Sequence, residues 1–215
     1  MLHAKLFLFL DRMSSQKLRF FLSRYLPPKA IDYCVQLWEQ KNFDLTITPK
    51  RASKLGDYSY NPKTRRHKIT VNGDLNPSSF LITYIHEVAH YHTYLQHGFS
   101  VKPHGPEWKR HFIHLISPLL KPEIFPAELL PAINNYFLNP KASSCSDVDL
   151  LKALRGQNTE GELRFLGELP EGITFQFNNR IFVREHKKRT RILCLEPASG
   201  KKFLISEAAT VKPVS

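Results

Sequence analysis

Apolar positions recur at helical spacing through the first two thirds of the chain and alternate through the last third. Leu18, Phe21, Leu22 and Tyr25 form one helical stripe, and Ile31, Val35 and Trp38 form a second. They predict helices over 15–26 and 28–41, broken by Pro27-Pro28, because proline removes a helical hydrogen bond. Residues 43–48 alternate as a strand does, and 53–60 with 67–72 predict a hairpin turning at Asn61-Pro62-Lys63. The most apolar segment follows, with Phe80, Leu81, Ile82, Tyr84, Ile85, Val88, Ala89 and Leu95. Asn76 is its N-cap, Pro77 its first turn and Gly98 its stop. A helix this apolar is mostly buried. Trp108, Phe112, Leu115 and Ile116 mark another helix over 106–117, and a proline-punctuated helical connection ends near Leu138.

From 139 to 146 the sequence is small and polar, as a linker is. After a short helix at 147–155 the pattern turns β-rich. Phe175-Gln176-Phe177 and Arg180-Ile181-Phe182-Val183 flank Asn178-Asn179, a two-residue hairpin turn. Further strands are predicted at 191–195 and 203–205. The fold class is therefore α+β. A largely helical domain with a small β-sheet spans 1–140, and a small β-rich unit spans 141–215.

Composition adds a partner. The 42% hydrophobic content supports packed cores, while the net charge of +12 points to a polyanion, most simply nucleic acid. Arg180, Arg184, Lys187, Lys188, Arg189 and Arg191 cluster on the predicted hairpin as candidate phosphate contacts. Period-two alternation turns Phe175, Phe177 and Phe182 inward, away from nucleic acid. Cys34, Cys145 and Cys194 are scattered and form no CxxC pair, which fits a reducing cytoplasm. The apolar run at 6–10 is shorter than a usual signal-peptide core, and no stretch reaches the roughly 20 apolar residues of a membrane span. A cytoplasmic chain with no membrane partner is expected; the sequence leaves its oligomeric state open.

The chemistry lies in His86-Glu87-Val88-Ala89-His90, an HExxH sequence inside the most apolar helix. Residues four apart lie within about 40° on one helix face and roughly 6 Å apart along the axis, so two imidazoles can converge on one ion. Glu87 is rotated by roughly 100° from His86, where it can take a proton from water without ligating the metal. Zinc hydrolases of this kind use three protein ligands and leave a fourth position open. His92 faces roughly the opposite side, and His97 lies about 10 Å further along the axis. His104, in the turn Pro103-His104-Gly105-Pro106, is the best candidate, with Glu107, His111 and His114 in reserve. Tyr60, Tyr84 and Arg110 could supply a second oxyanion donor. The strand at 67–72 precedes the motif, and Ile69, Thr70 and Val71 are expected to hold an extended substrate by main-chain pairing.

HEVAH followed by PHGPEW resembles the SprT family of zinc metallopeptidases, to which the Spartan protease of DNA–protein crosslinks is related. The stretch Lys54-Leu55-Gly56-Asp57-Tyr58 and the strand Ile69-Thr70-Val71-Asn72 match as well, so the resemblance covers roughly residues 15–140. It implies a zincin-like domain, one Zn²⁺ per chain on His86, His90 and His104, and Glu87 as catalytic base. It also implies protein substrates associated with DNA. Many relatives carry a four-cysteine zinc ribbon after this domain. Here Cys145 and Cys194 stand alone, so a metal-free β-unit is expected in its place. The alternative is a DNA-associated binding protein whose zinc site is structural or vestigial; Glu87 argues against it, since a structural site needs no base.

Overall fold

The computed structural model describes residues 14–40, 43–51, 54–140, 148–156 and 163–214. The apolar run at 6–10, Cys145 and the linker from 141 lie outside them. The chain divides into two compact units, Met1–Ser144 and Cys145–Ser215, and each mixes helix and sheet or is mainly sheet in turn. Among the described residues no helix is long and apolar enough to cross a membrane.

The first unit opens with α1 (Ser15–Leu22) and α2 (Ile31–Glu39), which pack on each other and bury Leu18, Leu22, Cys34 and Val35 in the core. Strands β1 (Phe43–Thr48), β2 (Gly56–Asn61) and β3 (Arg66–Asn72) form one sheet in the order β1-β3-β2. β2 and β3 are the antiparallel hairpin expected from the sequence. At its turn the Asn61 side chain accepts from the Lys63 and Thr64 N–H groups. β1 runs parallel to β3 on the other side.

That order overturns one expectation. β3 is the central strand, so its main-chain groups are already paired on both sides. Ile69 and Val71 are fully buried, and Thr70 nearly so. None of the three can hold a substrate by strand addition, which needs an unpaired edge. β2 is the edge that runs beside the next helix.

α3 (Pro77–His97) packs against β2, β3 and α4 (Pro106–Ile116). Its ends follow the sequence signals. The Asn76 side chain accepts from the Ser79 N–H at 2.8 Å, and Gly98 closes the helix at φ +57°, a backbone conformation that favours glycine. Phe80, Leu81, Tyr84, Ile85, Val88 and Ala89 are fully buried, so the helix is held on several faces by the core. α5 (Leu130–Leu138) adds Tyr136 and Phe137, which meet Phe112 of α4 edge-on.

The second unit starts with α6 (Val148–Gly156) and continues as a six-stranded sheet: β4 (Arg164–Phe165), β5 (Thr174–Phe177), β6 (Arg180–Lys188), β7 (Arg191–Glu196), β8 (Lys201–Ser206) and β9 (Thr210–Pro213). The strand order is β4-β9-β5-β6-β7-β8, so the last strand returns to lie beside β5. Asn178 and Asn179 both take positive φ, as a tight turn twisting with its strands requires. Phe175, Phe182, Ile192, Cys194 and Val211 form the core, with Phe177 packed against it.

This packing redraws the basic patch. Arg184 is buried, donating to the Glu185 carbonyl at 3.0 Å and lying 3.4 Å from a Glu171 oxygen. Arg180 pairs with Glu196 at 2.5 Å and sits over the Phe182 and Phe203 rings. Lys187 pairs with Glu207 at 2.5 Å. Arg184 is thereby taken up within the unit and is corrected out of the phosphate-binding set, whereas Arg180 and Lys187 are ion-paired but stay exposed. Lys188, Arg189 and Arg191 remain exposed at the β6–β7 turn.

Candidate metal centre and catalytic cleft

α3 presents His86 and His90 one turn apart on the same face. The chain then turns at Gly98 and returns over residues 99–105, bringing His104 against them just before α4 begins. The three Nε2 atoms stand 3.1 Å (His86–His90), 3.0 Å (His90–His104) and 3.3 Å (His104–His86) apart. At a Zn–N distance of about 2.0–2.1 Å, the edges of a tetrahedral ligand set measure about 3.3–3.4 Å. The observed triangle approaches that spacing, and the group could hold a metal ion. Among the described residues it is the one His, Cys, Asp and Glu group that meets this condition.

The protonation states suit a cation. Burial, then the neighbouring His90 and His104, push the His86 imidazole well below its ordinary value. Burial and His104 lower His90 to about 3, and burial lowers His104. All three rings are thus neutral at pH 7, each with a lone pair to offer.

Trp108 fixes the triangle. It is fully buried, its ring lies 4.6, 5.3 and 4.8 Å from those of His86, His90 and His104, and its indole N–H points at the His86 carbonyl at 3.4 Å. This side chain in the first turn of α4 therefore braces the turn bearing His104 against α3. The reserve ligands go elsewhere. His111 meets Gln96 at 3.1 Å, His114 is exposed on α4, and Glu107 lies beside Gly105. Tyr84 is fully buried and donates to the Cys34 carbonyl, and Arg110 is exposed on α4, so neither lines the cleft.

Glu87 shares an open cleft of about 580 Å³ with the three histidines. It is 6% exposed. Burial and Asp57 raise its carboxyl to about 8, against the opposing pull of Arg51, the Tyr58 backbone N–H and Lys54. The sequence signal that was not read for function is Gly56. A Cβ at this position would stand 2.6 Å from Glu87 Oε1 and 2.7 Å from Thr83 Cγ2. A glycine inside a strand often marks such a close approach. We expect Gly56→Ala to displace the Glu87 carboxylate and lower turnover by about tenfold to a hundredfold, since a misplacement near 1 Å is that costly. Zinc content should be unchanged; equal turnover at equal zinc would show that the carboxylate tolerates the shift.

Comparison with known proteins returned one family. No curated protein and no solved structure matched the chain. Residues 29–119, which include His86, Glu87, His90, His104 and Trp108, match the model of the SprT-like family, and over this stretch the chain is similar to that family.

Proposed function

We propose that the chain is a zinc-dependent metallopeptidase of zincin type, with DNA-associated proteins as its substrates. The observation that carries the reading is the meeting of three neutral imidazole donors and one buried carboxylate in a single open cleft. Zinc on His86, His90 and His104 would lower the pKa of a bound water towards about 7 and polarise the substrate carbonyl. The charge of a bound zinc would return the Glu87 carboxyl to its ionised form, in which it can accept the proton of the attacking water and deliver it to the leaving amine. Gly56 and the Tyr58 N–H hold that carboxylate at the wall of the cleft.

The free edge of β2 supports a peptide substrate. The Asn72 N–H donates to the Leu55 carbonyl at 2.8 Å, so Leu55, Asp57 and Ser59 point their main-chain groups at β3. Those of Gly56 and Tyr60 point outward with the Tyr58 carbonyl, where an extended polypeptide can pair with them, while the Tyr58 N–H is taken by Glu87. Localisation on DNA is assigned to the net charge of +12 and to the exposed Lys188, Arg189 and Arg191.

The test is metal removal. Chelated protein should lose cleavage of an unfolded protein, and one equivalent of zinc should restore it. Cleavage that is indifferent to zinc would overturn the reading, and a zinc-loaded but inert protein would favour a binding role.

A further inference from the structure

The cleft has an aromatic wall that the proposed chemistry does not use. After Gly98 turns the chain, Phe99 returns over α3 and its ring meets Tyr94 edge-on at 4.9 Å. Tyr94 in turn lies against Tyr60 of the β2 edge in a tilted pair at 4.7 Å, and Tyr60 lies 4.8 Å from His67. Tyr58, Tyr94, Phe99 and Val101 all line the cleft that holds the histidines. Tyr94 and Tyr60 are half-buried, but Phe99 is 81% exposed. A phenylalanine left in water against a rigid aromatic support, at the mouth of a cleft, offers apolar area that only a ligand can cover.

We infer that Phe99 and Tyr94 form a specificity subsite for a large apolar or aromatic side chain of the polypeptide substrate. The inference rests on the peptidase reading and deepens it. Two observations select this occupant. The wall adjoins the outward-facing main chain of β2, so a strand paired there runs its alternate side chains past the rings. The cleft is also poor in positive charge. Among the described residues lining it, Lys54 is the one lysine or arginine, and it pairs with Asp57 at 2.8 Å. A stacking platform for single-stranded nucleic acid would need cations beside it for the phosphates.

Phe99 is exposed on a loop, so Phe99→Ala removes the ring without opening the core. The test uses zinc-loaded Glu87→Gln protein, which holds a peptide without cutting it, with Phe99 intact, Phe99→Ala or Phe99→Leu. Fluorescent peptides identical except for one Phe or Ala are titrated against each, with the Phe placed at successive positions. At one position the Phe peptide should bind about tenfold tighter than its Ala partner, a ratio typical of a filled apolar pocket. The ratio should fall to about one in Phe99→Ala and persist in Phe99→Leu. No preference at any position with Phe99 intact would overturn the subsite. So would oligothymidylate that displaces the peptide only when Phe99 is present, which would assign the wall to bases. Cleavage of the same pairs by the wild-type chain reports separately on the parent reading: selective binding without cleavage would sink the peptidase and leave the subsite standing.

Discussion

Glu87→Gln is expected to abolish cleavage while leaving the zinc in place. The amide has nearly the shape of the carboxylate, and its carbonyl can still accept from the Tyr58 N–H that faces Glu87. It cannot accept a proton from water. Removing a positioned general base costs typically about 10²–10⁴-fold, and kcat/KM should fall by that amount. The three imidazole donors are untouched, so elemental analysis should find one zinc per chain in both proteins. Because a neutral amide replaces a buried acid, thermal stability should hold or rise. A variant that keeps more than about a tenth of the activity would move the base to another residue, since loss of the true base costs more.

His104→Ala is expected to do the reverse, removing the metal and leaving the fold. His104 is half-buried in the turn before α4, while His86 and His90 stay fixed on α3. Two imidazoles make an incomplete site, and the loss of affinity should exceed the about 10–100-fold that follows damage to an outer partner of a ligand. The sharper readout is the melting temperature. Zinc at 1,000 times its dissociation constant stabilises a folded protein by about 4 kcal/mol, so the wild type should melt higher with zinc than with chelator. That difference should vanish in His104→Ala. A zinc-dependent rise that survives would place the third ligand elsewhere, and His111 is too closely engaged with Gln96 to be the first choice.

The local parts of this protein were legible in the sequence. Asn76, Pro77 and Gly98 mark the ends of α3 by short-range capping, and the spacing of His86 and His90 follows from the helix itself. Asn178-Asn179 announced its hairpin for the same reason. What failed was long-range. The pattern of β3 shows a strand but not its neighbours, and the parallel partner β1 lies more than twenty positions earlier. A central strand was therefore read as a substrate edge, and β2 was overlooked. The basic hairpin failed in the same way. Arg180 and Arg184 look free in sequence, yet their acidic partners Glu196 and Glu171 arrive from other strands and loops. The short strands β4 and β9 carry too few residues for alternation to show. Gly56 was visible as a glycine within a strand, but its meaning depended on α3 lying beside it.

The route from His90 to His104 has a thermodynamic consequence. Thirteen residues lie between them, including Gly98 and Phe99. An ion joining the two histidines closes that segment into a ring, as a crosslink does, and a ring of about 15 residues removes roughly 3 kcal/mol of chain entropy from the unfolded ensemble. Phe99 lies within the ring. Zinc and a peptide seated on Phe99 therefore favour the same arrangement of one segment, and by linkage each must tighten the other by the same factor. An occupied cleft would then retain its metal longer than an empty one.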